Sequence, residues 1–311
     1  MGRLGSTVNA SEPVSIVIVA YRSDELLSRC LAAVADRAAE VVVVDNGTQG
    51  DGARRVCAAF PQVRVIERGR NDGFGTAANA GAAAVDGSWI AVLNPDAWPV
   101  GDGLERLVAF GARRPRLGAA GPQLVDERGR PQRSTIRPPL TPAALAIWAA
   151  MPGLSSGAYG LLRRGGRGCR PETLLQGEFL QGAALLVRRA AFEQVGGFDE
   201  RFFMYGEDAD LCARLRDAGW EVALSPEARF VHVGGGSSAA DAEQMQIELL
   251  RSWLRLIAKR DGLAEAERAR RWLLAAVRLA GLRPRRADAR AAARWLAARG
   301  VGELLAAPGP R

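Results

Sequence analysis

Val14-Ser15-Ile16-Val17-Ile18-Val19-Ala20, followed at once by Tyr21-Arg22-Ser23-Asp24, is the stretch on which the fold turns. The run is β-branched and almost wholly apolar, the pattern of a parallel strand covered on both faces. Ser23 can cap the next helix, with Asp24 and Glu25 in its first turn and Leu26, Leu27, Cys30, Leu31 and Val34 at helical spacing. The alternation repeats outward. A strand over 41–44 is closed by Asp45-Asn46-Gly47, and then come a helix over 52–60, a strand over 63–66, a Gly/Ala-rich helix over 76–85 and a strand over 89–93. Such a βαβαβαβ series predicts a parallel, right-handed, doubly wound α/β sheet. Ligands bind at the carboxyl ends of the strands in such sheets, where Tyr21, Asp45, Asn71 to Gly75 and Asn94 to Asp96 fall.

Beyond Asp96 the pattern loosens. It predicts a helix over 104–113, a strand over 117–124, a turn at Arg128-Gly129-Arg130, a strand over 183–187, a short helix over 189–195 and a helix over 207–218. The charge-free stretch 138–162 is long enough to span a bilayer, but its prolines and glycines leave only 143–151 as an apolar core, which favours a buried or interfacial helix. After about residue 241 the chain reads as helical, with Met245, Leu249, Trp253 and Ile257 four apart on one face.

The 311 residues, 48% hydrophobic and 24% charged, exclude a disordered or collagen-like chain. Cys30, Cys57, Cys169 and Cys212 form no CxxC pair, which argues for reduced thiols over a zinc ribbon or disulfide scaffold. The net charge of +8 is concentrated: residues 251–300 carry 14 Lys and Arg against 4 Asp and Glu. No N-terminal apolar run resembles a signal peptide, so a cytoplasmic location is expected. With Trp253, Trp272 and Trp295 among its arginines, the basic segment reads either as a surface for an anionic membrane or as an Arg-rich bundle packed on the rest of the protein.

Neither a dinucleotide glycine fingerprint nor a GxxxxGK[ST] loop is present, so side chains and a metal must hold any nucleotide. Asn94-Pro95-Asp96 follows a strand directly, and Pro95 stiffens the turn that projects Asp96 over the crevice. A hard carboxylate there suits Mg²⁺ or Mn²⁺ bridging two phosphates, although Asn-Pro-Asp also reads as plain turn chemistry. His232, the only histidine, lies in the strand-like run Phe230-Val231-His232-Val233. It reads either as a hydrogen-bonded strand histidine or as a ligand for a divalent transition metal. Glu207-Asp208 opens a helix after Phe202-Phe203-Met204-Tyr205-Gly206. Acids there favour the helix dipole, and a carboxylate amid bulky apolar residues also gains the raised pKa of a general base. Asp210 reads as a structural partner.

In order along the chain, Val14 to Tyr21, Val43-Val44-Asp45-Asn46-Gly47, Asn71-Asp72-Gly73-Phe74-Gly75 with Asn79 and Gly81, Leu93-Asn94-Pro95-Asp96, and Gly196-Gly197-Phe198-Asp199-Glu200 through Phe203 to Leu211 resemble the family 2 glycosyltransferases. Within them the chain is most similar to the rhamnosyltransferases of bacterial polysaccharide and cell-wall-linker synthesis. The match covers about residues 14–236. It implies a GT-A fold, doubly wound with a mainly parallel central sheet, over residues 1–240, followed by a basic helical C-terminal segment over 241–311. The nucleotide-sugar half would span about 14–125 and the acceptor half about 126–240. The resemblance implies inverting displacement at an anomeric carbon, with Ala20, Tyr21, Asp45, Asn71, Gly73, Asn79 and Asn94 at the donor nucleotide and Asp45 at its base. Asp96 would hold Mg²⁺ or Mn²⁺, His232 would be a second metal or diphosphate ligand, and Asp208 would deprotonate the acceptor hydroxyl. The implied partners are a dTDP- or UDP-linked sugar donor and a glycan or polyprenyl-linked acceptor at the inner membrane face, while 251–300 keeps its two readings, an anionic membrane surface or a packed bundle. The DxD of GT-A enzymes is Asn94-Pro95-Asp96 here, and Asp72 and Ala78 stand where an apolar residue and Asn are expected, which bears on the donor. Two rivals remain. A nucleotidyltransferase would need a Gly-rich basic loop in place of Tyr21-Arg22-Ser23-Asp24. A nucleic-acid-binding protein would leave the acidic and neutral loops at the strand ends unexplained, so no nucleic-acid partner is expected.

Overall fold

Every residue of β1 (Val14–Ala20) is buried, as its unbroken apolar run requires. The structure, a computed structural model, describes residues 13–47, 50–136, 174, 179–234, 242–281, 287–298 and 300–306. The helix expected over 143–151, Cys169, and the arginines at 283, 285 and 286 lie outside the described residues.

With β2 (Glu40–Asp45), β3 (Val63–Glu67), β4 (Trp89–Leu93), β5 (Ala97–Pro99), β6 (Leu117–Val125), β9 (Ala184–Arg188) and β10 (Glu221–His232), β1 forms an eight-stranded sheet in the order β3-β2-β1-β4-β9-β6-β10-β5. A second sheet pairs β7 (Thr135–Ile136) with β8 (Phe179–Leu180). The first four strands run parallel, with Ala20 opposite Asp45 and Ile18 opposite Leu93, so their carboxyl ends align along one edge. β6 and β10 are also parallel to each other, and β9 joins the two parallel groups by running antiparallel to both β4 and β6. The sheet is thus mainly parallel, as expected, with β9 and the edge strand β5, antiparallel to β10, its inverted members.

Alternate residues of the strands feed two apolar layers. Ile16, Ile18, Val41, Val43, Ala91 and Leu93 pack with α1 (Asp24–Val34) and α4 (Gly103–Ala112) through Leu27, Leu31, Leu104 and Leu107; α2 (Gly52–Cys57) joins this layer through Ala53 and Cys57. Val17, Val19, Val42, Val44 and Val92 pack with α3 (Phe74–Ala82) on the other face. The Gly/Ala content of α3 has a steric cause: a Cβ on Gly81 would lie 2.3 Å from Val17 Cγ1, so the helix sits closer to the sheet than any larger residue permits. The same layer takes in α5 (Arg189–Gln194) and α6 (Glu207–Asp217) through Ala191, Phe192, Ala209, Leu211 and Leu215.

The C-terminal helices belong to that layer as well. They are α7 (Ala242–Asp261), α8 (Leu263–Gly281), α9 (Ala287–Ala298) and α10 (Val301–Ala306). Leu250, Trp253, Leu254, Leu273, Val277, Leu296 and Leu304 form one buried cluster with Val17 and Val92. On α7 the stripe through Leu249, Trp253 and Ile257 does pack inward, but Leu250 and Leu254 are the more deeply buried, so the inward face is centred nearer to them. Much of the positive charge is used internally. Lys259 pairs with Asp199 and Asp210, Arg251 with Glu248, Arg270 with Glu267, and Arg255 donates to the carbonyls of Arg201 and Leu305. Trp272 and Leu279, two turns apart on α8, stay outside at 55% and 67% exposure. No helix among the described residues is long and apolar enough to cross a membrane.

Candidate active site

The carboxyl ends of β1, β2 and β4 open into a cleft of about 320 Å³, closed on its far side by the loops before β9 and α6. Tyr21, Asn71, Asn94, Asp96, Asp208 and His232 line it, as the sequence led one to expect. Asn46, Gln181, Gly182, Met204, Tyr205 and Glu207 line it too, and of these only Glu207 was weighed from the sequence. Four residues expected at a donor nucleotide do not line the cleft. Ala20 and Asp45 are the buried last residues of β1 and β2, Gly73 packs against Phe203, and Asn79 lies behind the site.

Asn79 is the clearest displacement. Its amide donates to the carbonyl of Phe198 at 2.9 Å and to Glu200 Oε1 at 3.0 Å, and its oxygen accepts the Phe198 N–H at 2.9 Å. It therefore fastens α3 to the Gly-Gly-Phe-Asp-Glu loop. Asn46 does the corresponding work inside the cleft, donating to Asn71 Oδ1 at 2.9 Å and to the Gly73 carbonyl at 3.2 Å. Gly73, at φ 93°, lets the chain turn where a Cβ would meet the Phe203 carbonyl at 2.4 Å, and the next N–H, that of Phe74, donates to that same carbonyl. The loop 71–74 and the segment leading to Glu207-Asp208 are thus bound to each other.

Asp96 and His232 are brought together by a strand pair the sequence did not reveal, β5 against β10, which sets His232 opposite Ala97. Asp96 Oδ2 accepts the Gly234 N–H at 2.9 Å and lies 3.7 Å from His232 Nε2. Burial pulls the His232 pKa below its ordinary value against the opposing pull of Asp96, which leaves a neutral imidazole at neutral pH. Two donors each ~2.1 Å from one cation cannot lie more than ~4.2 Å apart, so this pair fits a shared ion. No cluster of three acidic, histidine or cysteine side chains occurs among the described residues, so a cation here would complete its shell with ligand oxygens and water.

Across the cleft, α6 begins with Glu207 and Asp208, 7% and 9% exposed. Tyr205 and Gly206 both take left-handed backbone, with Tyr205 at φ 65°, and so bend the chain sharply into the helix. Asp208 Oδ2 accepts the Gly182 N–H at 2.9 Å, and Oδ1 accepts the Ala209 N–H at 2.8 Å. Burial raises its pKa to about 6, held from rising further by those N–H groups. Glu207 has less support. Its buried Oε2 has no hydrogen-bond partner, and burial together with the Asp208 charge raises its pKa to about 8. The two acids titrate as a coupled pair, and the N–H groups on Asp208 favour its ionised form over that of Glu207. Asp210 points away from the cleft, between Lys259 and Arg214, as the structural partner expected.

A family model described as glycosyl transferase family 2 matches residues 15–196, and one described as the N-terminal domain of galactosyltransferase matches 171–234. The chain is 35% identical over 257 residues to the N-acetylglucosaminyl-diphospho-decaprenol L-rhamnosyltransferase of Mycobacterium tuberculosis, covering 74% of this chain and 79% of that one. It is 30% identical to the succinoglycan biosynthesis protein ExoO of Rhizobium meliloti, over 83% of this chain and 72% of the relative. In structure it resembles the mannosyltransferase PcManGT from Pyrobaculum calidifontis, solved with GDP-Man and Mn²⁺. The TM-score is 0.56 at 18% identity, covering 91% of this chain and 79% of the other, a likeness of fold.

Proposed function

Because the chain belongs to glycosyltransferase family 2, we propose that it transfers rhamnose from a dTDP- or UDP-linked donor to a polyprenyl-linked saccharide, with inversion at the anomeric carbon. The observation that carries the proposal is the placement of Asp96 and His232 at one side of a single cleft and a buried Asp208, its carboxylate held by two backbone N–H groups, at another. The rhamnosyl donor and lipid-linked acceptor are taken from the mycobacterial relative's name, and the inversion from the family resemblance.

In this reading Tyr21 and Asn71 flank the nucleotide, and Asn46 holds Asn71 in place. Asp45, buried at the end of β2, would act at the base through the backbone it ends. Asp208 accepts the proton of the acceptor hydroxyl as that oxygen attacks the anomeric carbon and the bond to the diphosphate breaks on the opposite face. Glu207, when protonated, can donate a hydrogen bond into the cleft but cannot take that proton. Asp96 and His232 would hold the cation, and one imidazole beside one carboxylate suits Mn²⁺ better than Mg²⁺. What a bound ion supplies is neutralisation of the departing diphosphate.

Thermal stabilisation by a panel of UDP-, GDP- and dTDP-sugars with Mn²⁺ tests the donor, since a ligand at one hundred times its Kd stabilises by about 2.7 kcal/mol. Asp96→Ala is expected to keep the fold and to lose both transfer and the metal dependence of nucleotide binding. Full activity of the wild type in excess chelator would overturn the metal assignment.

A peripheral membrane site on the cytoplasmic face follows from the same acceptor. Trp272 and Leu279 project from α8 with Arg268, Arg271 and Arg278 exposed around them, an aromatic and basic face suited to anionic lipid. Replacing both apolar residues by Ser is expected to lower co-sedimentation with anionic vesicles and to leave the melting temperature unchanged. Equal binding of both forms, or no preference over neutral vesicles, would leave α8 as packing alone.

A further inference from the structure

Gln132 sits in the segment between β6 and β7, one hundred residues before His232, and contacts it twice. Its Nε2 donates to the backbone carbonyl of His232 at 2.8 Å, and its Oε1 lies 3.3 Å from His232 Nδ1. The first contact decides the second. A carbonyl oxygen only accepts, so the amide NH₂ of Gln132 must face it, and the amide oxygen must then face the ring. An amide oxygen also only accepts, so Nδ1 must carry the proton. In a neutral imidazole the other nitrogen is then a bare lone pair, and Nε2 is the nitrogen directed toward Asp96.

Gln132 is itself held. Its backbone N–H donates to the Leu124 carbonyl at 2.8 Å, and its carbonyl accepts from Gln123 Nε2 at 2.9 Å, so the side chain starts from a fixed point on the end of β6. Asp96 meanwhile has Oδ2 engaged by the Gly234 N–H, while the 3.7 Å gap to Nε2 is too wide for a hydrogen bond. A proton on Nε2 would thus find no close acceptor in Asp96, whereas a lone pair there suits a cation shared with the carboxylate.

We propose that Gln132 is a positioning residue that locks His232 in the Nδ1–H tautomer, so that Nε2 is presented as a ligand beside Asp96. The second half of this statement rests on the metal reading above; the first half does not. Outer partners of this kind change metal affinity by about 10–100-fold in other sites.

The single histidine makes the test direct. Nitrogen-15 long-range correlation spectra of the metal-free chain report which ring nitrogen of His232 bears the proton, with no assignment to resolve. The wild type is expected to show Nδ1–H. Gln132→Leu, at a half-buried loop position, is expected to keep the fold by circular dichroism and lose that signature. Mn²⁺ affinity in the presence of UDP, read by electron paramagnetic resonance of the free ion, is expected to fall about 10–100-fold in Gln132→Leu. A wild-type ring protonated on Nε2, or a signature unchanged by Gln132→Leu, would overturn the tautomer lock. If the lock is seen but Gln132→Leu binds Mn²⁺ like the wild type, the positioning role is overturned. If His232→Ala binds Mn²⁺ unimpaired as well, it is the metal reading that has failed.

Discussion

At the scale of single residues, the two neighbouring carboxylates at the start of α6 differ chiefly in what their oxygens touch. Asp208 is supported by two backbone N–H groups and Glu207 leaves one buried oxygen without a partner, so the same burial leaves Asp208 the more readily ionised of the two. Asp208→Asn is expected to leave donor binding intact and to slow transfer by about 10²–10⁴-fold, checked by single-turnover kinetics. Because Asp208 must be ionised to accept a proton, the wild-type rate is expected to fall as the pH drops through about 6. Glu207→Gln imitates a protonated acid, so its rate at neutral pH is expected to stay within about tenfold of wild type, short of the ~10²-fold at which a general-base effect begins. Stability separates the two variants further. The raised pKa of Glu207 means that the folded state holds a proton the unfolded state has released, so the contribution of Glu207 to stability falls as the pH rises from near 4.5 to about 8. Glu207→Gln removes that loss, and its melting temperature is expected to exceed the wild type's at pH 9 by more than at pH 5.

Among the elements, α3 shows how a residue can be needed by a site without entering it. Asn79 spends its whole amide on the loop 198–200, which leads toward Glu207-Asp208. Asn79→Ala is therefore expected to lower stability by about 1–2 kcal/mol in urea titrations while nucleotide affinity stays within twofold. A clear loss of nucleotide affinity would restore the donor contact that the family resemblance implies. The strands β1, β2 and β4 were legible because each is a largely apolar run followed by polar residues at its carboxyl end, and Tyr21, Asn46, Asn94 and Asp96 among those residues line the cleft. β5 and the first half of β10 were not. Ala97-Trp98-Pro99 is too short to show a period, and Glu221 to His232 contains Ser225-Pro226-Glu227 and an irregular register between Ser225 and Arg229. The proximity of Asp96 and His232 depends on that unreadable pairing, and so does Gln132, whose contact spans 100 residues of sequence with no local signal. Asn46 was visible only as part of a turn, since hydrogen bonds to a loop 25 residues away leave no pattern.

For the whole molecule, the boundary expected near residue 241 does not interrupt the core. Leu250, Trp253 and Leu254 share a buried cluster with the central strands, Ser252 donates to the Met204 carbonyl at 2.8 Å, and Lys259 joins Asp199 to Asp210. Urea unfolding of the full chain is accordingly expected as one transition, and Lys259→Met is expected to lower its stability by about 1–3 kcal/mol. Two well-separated transitions would make the C-terminal helices an independent unit. The Phe203 carbonyl, which receives the Phe74 N–H across the face of the site, bears on how such enzymes can be recombined. Exchanging the half before residue 126 between two parents, in the hope of trading one sugar donor for another, would pit a foreign turn at Gly73 against a resident Phe203, and would set β4 of one parent against β9 of the other along five residue pairs. In this scaffold 71–79 and 196–206 are then inherited as one block, and a productive crossover has to carry both pieces from the same parent.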